Sequence, residues 1–335
     1  MNRWPAVDSG GWSEPFDAFP VEAPFQVRPD LVKLAPPDDL LRIDREWAPM
    51  LAAKLAIHRS QVGGGNVAIA SAADGDALRA RIAAVIRAAD RIAAAGPRLD
   101  IVRDGDTIRL GAAGYLARIR NEQVSLQALR DDAAPAVQAL ATGDAASRLL
   151  GALALSLQED LVLMEQGADG AVRAALLQVS FPSAWDPGQK VGQDLFGLHQ
   201  PVADNASLQA AAARLANALV SKGPFVRWVW TVTADARWRA WPPRQAPAGQ
   251  DADASRPPPA LPNPAAPLYF RLERQVTVPL GHGYGLFLIR VQLRPLEAVL
   301  AQPGRRALLQ ASLRSMSDAM VRYKNLAAVR ATLLP

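Results

Sequence analysis

Three histidines and no cysteine limit the metal chemistry open to this chain of 335 residues. Without cysteine there are no disulfides, zinc–thiolate centres, protein-ligated iron–sulfur clusters or thiolate-ligated haem. A neutral imidazole remains a good ligand for a transition metal. His199, in Leu198-His199-Gln200-Pro201-Val202, follows a partly apolar stretch containing glycine and is the best placed of the three. His58 stands beside Arg59 on an expected helix and reads as solvated. His282 lies in Gly281-His282-Gly283-Tyr284-Gly285, which reads as a hairpin turn. A strand, not a helix, is expected after those glycines, so they are no dinucleotide fingerprint. Gly63-Gly64-Gly65 has no clear strand before it and no Lys-Ser/Thr after it, and reads as a loop rather than a phosphate cradle.

The charged candidates lie on either side of His199. Glu159 and Asp160 could accept protons or bind a cation; equally, they could cap or pair locally where a helix gives way to a strand. Arg227, Arg271 and Arg274 fall on expected strands, and an inward-pointing arginine must find a partner. Its planar fork suits a carboxylate. Glu273 sits between two of these arginines, where an ion pair is the simplest account. Trp185, Trp228 and Trp230 could line a flat pocket or pack in the core.

These residues need elements to hold them. Phe225–Thr233 alternates: Phe225, Arg227, Val229 and Thr231 share one face, and Val226, Trp228, Trp230 and Val232 the other. Strands are expected over 161–164 and 172–181 around Gly167–Gly170, and over 269–278 and 284–293. Leu99–Leu110 reads as a hairpin around Asp104-Gly105. Helices are expected from Asp38-Asp39 to about His58, over 74–95 up to Gly96-Pro97, and after Thr142 or Asp144. Further helices are expected over 207–222 and from Pro295 onward.

The expected whole is α+β, a largely antiparallel sheet flanked by helices with helical N-terminal and C-terminal segments. Residues 1–37 read as an extended arm. Residues 38–335 read as one α+β unit, with its core at about 150–295, a Pro/Ala-rich loop at 244–267 and C-terminal helices over 295–333.

Composition is that of a globular chain. Half the residues are hydrophobic and 21% charged, with a net charge of +5. The positive excess is spread along the chain, with no basic stripe interleaved with aromatics, so nucleic acid is not an expected partner. No apolar run approaches the ~18 residues of a membrane helix. The N-terminus lacks a secretory pattern, and a cytoplasmic location is expected.

Five segments, taken in order, resemble the haem-dependent oxidative N-demethylase family: Leu157-Gln158-Glu159-Asp160-Leu161, Phe181-Pro182-Ser183-Ala184-Trp185, Leu198–Val202, Arg227-Trp228-Val229-Trp230 and Leu272-Glu273-Arg274-Gln275. Weaker similarity appears at Val27-Arg28-Pro29 and at Ile43–Trp47. The resemblance implies a PAS-like sheet holding haem b. It implies oxidation of a small methylated amine with O2 and release of formaldehyde, with electrons from a separate flavin and iron–sulfur reductase. On the matching positions it implies His199 as the axial ligand. Arg227, Arg271, Trp185 and Trp230 would line the cofactor, and Glu273, Arg274 and Glu159 would serve the chemistry. The chain departs from the family pattern at Gln200, where alanine is common, and at Val229, where asparagine is common. A haem-binding sensor or scaffold without turnover is the competing reading, because fold alone does not fix function. A cofactor-free binding module is the third.

Overall fold

In the computed structural model, the described residues are 18–34, 40–60, 68–70, 73–183, 185–238 and 267–334. They form two antiparallel sheets. The larger has seven strands: β1 (Val32–Lys33), β2 (Ala68–Ala70), β7 (Asp160–Gln166), β8 (Val172–Gln178), β9 (Phe225–Thr233), β10 (Tyr269–Gly281) and β11 (Tyr284–Pro295). Their spatial order is β1-β9-β10-β11-β7-β8-β2. The smaller sheet is a meander of β3 (Ile101–Asp104), β4 (Thr107–Leu110), β5 (Tyr115–Arg120) and β6 (Gln123–Ala128).

Helices α1 (Trp47–Ser60), α2 (Gly75–Ala95), α3 (Ala134–Ala139) and α4 (Ala145–Ala154) come before β7. Between β8 and β9 lie α5 (Leu195–His199) and α6 (Ala206–Ser221). After β11 come α7 (Leu296–Leu300), α8 (Arg305–Ser315), α9 (Asp318–Tyr323) and α10 (Ala327–Leu333). The α+β expectation holds, with both sheets antiparallel. The Pro/Ala-rich loop and the triple glycine lie outside the described residues.

Local chemistry accounts for most boundaries. Asp144 caps α4, its carboxylate accepting from the Ser147 amide at 2.7 Å. Apolar Leu149, Leu150 and Leu153 then fall on the buried side. Helix α6 can approach β11 because residue 285 is glycine: a Cβ there would stand 2.5 Å from the Leu219 carbonyl oxygen. Behind the C-terminal part of the sheet, Phe270, Leu272 and Trp230 form one core with Leu309, Leu313 and Met320 of the last helices.

Two expectations about α1 are corrected. The helix starts at Trp47, not near residue 40; Asp38 and Asp39 lie outside the described residues. Residues 40–46 instead meet side chains from the body. The Arg42 amide donates to Glu159 and the Asp44 amide to Gln158, each at 3.0 Å, and Arg290 pairs with Asp44 at 2.8 Å. Those bonds replace the ones a helical turn would make. His58 is not solvated. It is only 7% exposed and lines a small cavity of about 150 Å³ with Leu140, Asp144, Ser147 and Gln178. Lys54, one turn earlier, draws α1 inward. Its ammonium meets the Ala154 carbonyl at 3.1 Å and the Asp160 carboxylate at 3.2 Å.

Candidate functional site

Strands β9 and β10 pair in a register that sets Arg227 opposite Gln275, Val229 opposite Glu273 and Thr231 opposite Arg271. Cross-strand partners share a face, and alternate residues of one strand share it too. One face therefore carries Arg227, Val229, Thr231, Arg271, Glu273 and Gln275. On β11, Ile289 and Val291 continue it. Arg227, Val229, Thr231 and Glu273 are only half-buried although they stand on inner strands.

His199 ends α5, which Asp194 caps by accepting from the Gly197 amide at 2.8 Å. The imidazole Nδ1 lies 2.8 Å from the Leu195 carbonyl. A carbonyl can only accept, so Nδ1 carries the proton and Nε2 keeps its lone pair. Asn205 secures the helix end by donating to the His199 carbonyl at 2.9 Å. Burial pushes the imidazole pKa down, and the nearby Arg227 and Lys190 charges add to that shift. The ring is thus held in the neutral form that binds metals. Trp185 packs on the same side, in the apolar cluster with Val191, Leu195, Leu198 and Phe287.

Glu273 is the centre of a chain of hydrogen bonds. Ser183 donates its hydroxyl to Oε1, and the Gln275 amide nitrogen donates to Oε2 at 3.0 Å. Arg227 Nε donates in turn to the Gln275 oxygen at 2.7 Å. On the other side, Arg271 Nε donates to the Ser183 hydroxyl at 2.6 Å, and its Nη2 to the Phe181 carbonyl at 2.9 Å. Arg271 thereby straps the Phe181–Ser183 segment to the sheet. Asp160 holds the same segment by accepting from the Phe181 amide at 2.8 Å.

Arg227 has no carboxylate within ion-pair distance among the described residues. Burial lowers its pKa, while Glu273, Asp30 and Tyr323 oppose the shift. Strand β1 pairs only with Phe225 and Val226, so it leaves the rest of the outer edge of β9 uncovered. The end of α9 meets that edge. Thr231 donates to the Lys324 carbonyl at 3.3 Å, and the Lys324 ammonium donates to the Trp230 carbonyl at 2.7 Å. Burial depresses the Lys324 pKa to about 8, against the pull of Glu273.

The structure thus brings His199, Arg227, Glu273, Arg271 and Trp185 to one side of the sheet. It puts the other site candidates elsewhere. Arg274 is one residue from Glu273 and so turns to the reverse face, where it donates to the Leu40 carbonyl at 3.2 Å. Trp230 also lies on the reverse face, stacked on Phe270 at 5.7 Å and 10°. Glu159 is buried against Arg42 and Lys54, and burial pushes its carboxyl pKa up. Sequence reasoning missed Gln275 and Ser183 as parts of this face, and Tyr323 and Lys324 as its neighbours at the edge of β9. The first could have been found from its period-two spacing with Glu273. The last two arrive through long-range packing that leaves no local signal.

Among the described residues no group of three or more His, Cys, Asp or Glu could hold a bare metal ion. One neutral imidazole near a half-buried guanidinium that has no carboxylate partner among the described residues suits a cofactor that brings its own equatorial ligands and its own carboxylates, as a porphyrin does. No described helix is long and apolar enough to cross a membrane. No curated protein matches the chain. Residues 117–334 match the family described as haem-dependent oxidative N-demethylase, alpha subunit-like. The matched span runs from β5 to α10 and includes His199, Arg227 and Glu273, so the chain belongs to that family.

Proposed function

We propose that this chain binds haem b on the β9–β10 face through His199 and uses it to demethylate a small secondary or methylated amine oxidatively. One observation carries the reading: the His199 Nε2 lone pair stands free of the Leu195 bond, near a half-buried arginine that lacks a carboxylate among the described residues.

Bound haem would supply the oxidation: with O2, two electrons and two protons it converts an N-methyl group to a carbinolamine and water, and the carbinolamine breaks down to amine and formaldehyde. The chain supplies the rest. His199 would hold the cofactor through Nε2, and its Nδ1–H bond to Leu195 keeps the ring orientation and tautomer. Arg227 would offer positive charge to a propionate. Glu273, tied by Ser183 and Gln275, keeps an anionic group in place to orient the amine. Val229, directly across from Glu273, gives that group an apolar neighbour, which excludes water and suits methyl substituents.

The chain carries no cysteine for a cluster and no flavin motif, so electrons would come from a separate flavin and iron–sulfur reductase. The cytoplasm, where reduced donors are available, fits this chemistry. A PAS-like sheet is part of the same reading. It is supported by the five strands β7 to β11, with α5 and α6 inserted between the second and third of them.

The test is haem reconstitution followed by desalting. A retained Soret band, lost in His199→Ala, is expected, as is formaldehyde from a dimethylamine-like substrate when a reductase is added. A reconstituted wild type without a Soret band overturns the haem assignment. Haem retention with no turnover across a broad amine panel overturns the catalytic one.

A further inference from the structure

Gln275 stands between two charged residues of one sheet face. It lies directly across from Arg227, with Glu273 two residues along the same strand and on the same face. A diagonal pair of that kind is within reach of long side chains. Arginine and glutamate that share a half-buried face normally meet directly, because a charge-assisted pair is stronger than a bond to a neutral amide. Here they do not. Arg227 Nε goes to the Gln275 oxygen, and the Gln275 nitrogen goes to Glu273.

The orientation of that amide follows from chemistry. Arginine can only donate and a carboxylate can only accept, so the oxygen must face Arg227 and the nitrogen Glu273. Ser183 takes the second carboxylate oxygen. Both oxygens of Glu273 thus accept hydrogen bonds from neutral donors, Arg271 Nη2 approaches Oε1 only at 3.9 Å, and Arg227 uses only its Nε toward the strand. Its outer nitrogens make no hydrogen bond among the described residues, and its charge is near enough to His199 to lower the imidazole pKa.

We propose that Gln275 is a positioning residue, a neutral spacer that keeps Arg227 out of a direct ion pair with Glu273 and so reserves its guanidinium for a carboxylate of the bound cofactor. The proposal rests on the haem reading above and adds to it a residue that selects for anionic porphyrins. It also explains why an arginine in this setting has no carboxylate partner among the described residues.

The experiment titrates purified apoprotein with haem and with haem dimethyl ester, which has the same macrocycle and no carboxylate charge, following the Soret band. Wild type should favour the free acid by about tenfold or more, the worth of one charge-assisted hydrogen bond. Gln275→Met keeps the length and severs both bonds, so Arg227 should close on Glu273 and the preference should fall toward unity. Gln275→Glu, which pairs with Arg227 directly, should do the same, as should Arg227→Gln. The double variant Gln275→Met with Glu273→Gln should regain the preference, because no anion remains to capture Arg227. A merely structural role predicts the opposite, since the double variant removes more native contacts. Both porphyrins are read on one preparation, so a loosened fold lowers both affinities and leaves their ratio intact. Full preference retained in Gln275→Met or in Arg227→Gln, or no recovery in the double variant, overturns the spacer. A wild type that binds neither porphyrin overturns the haem reading itself, and the spacer with it.

Discussion

The imidazole of His199 donates from Nδ1 to the carbonyl of Leu195, one helical turn back, at 2.8 Å. That bond chooses the tautomer. It leaves the Nε2 lone pair free and ties the ring to α5, whose start is fixed by the Asp194 cap. Replacing His199 by alanine should therefore lower haem affinity by well over about tenfold, and no Soret band should survive desalting. His58→Ala is the matched control. It empties a buried position on α1 and should cost about 1 kcal/mol in stability while leaving haem retention unchanged. Equal retention in the two variants would remove His199 from the site.

Much of this arrangement was legible in the residue pattern. The alternation over 225–233 put Arg227 and Trp230 on opposite faces, and the register confirms it. The same parity separates Arg271 from Arg274, which are three residues apart and cannot both face the site; proximity to a motif says nothing about which one does. The β5–β6 hairpin escaped notice for a different reason. Its turn is Asn121-Glu122, with both φ values positive (47° and 62°). Two-residue hairpins of that geometry usually announce themselves with glycine, and glutamate here carries no such signal. The start of α1 lies later than its local sequence suggests because Gln158 and Glu159, more than a hundred residues away, satisfy the backbone at 42 and 44. No local reading of 38–46 contains that information.

Lys54 and Asp160 make a fully buried ion pair at 3.2 Å, and the other oxygen of Asp160 holds the Phe181 amide. Removing one partner leaves an uncompensated charge in the interior. Lys54→Met should destabilise the protein by about 3–5 kcal/mol, measured by chemical denaturation. Lys54→Met with Asp160→Asn should recover part of that loss, since no bare charge remains. A double variant no better than the single one would mean that packing of the lysine stem, not charge, sets the cost.

The capping bond of α4 allows a smaller and cleaner test. Asp144→Ala removes the acceptor of the Ser147 amide and should cost about 1 kcal/mol. Asp144→Asn, which keeps an acceptor, should cost less. If the alanine variant is indistinguishable from wild type in denaturant midpoint, the helix start is held by its tertiary packing alone.

Lys324 gives a pH-dependent prediction with a definite sign. Burial between the end of α9 and the edge of β9 brings its folded pKa to about 8, from an ordinary value of 10.5. Between those two pH values the unfolded chain binds the extra proton and the folded chain does not, so unfolding takes up a proton and stability rises with pH. Below pH 8 both states are protonated, and the full penalty of a buried ammonium is present. It is relieved as pH climbs from 8 toward 10.5, by on the order of 1–3 kcal/mol. Other lysines and tyrosines titrate in the same window, so the quantity to measure is the difference between wild type and Lys324→Met in denaturant stability at pH 7.5, 9 and 10.5. The variant loses the bond to the Trp230 carbonyl and the contact over the Trp230 ring, which shifts its stability by a constant amount at every pH. The wild type should gain on it steadily as pH rises. Parallel curves would mean that the ammonium is solvated in the folded protein and that α9 does not seal the edge of β9.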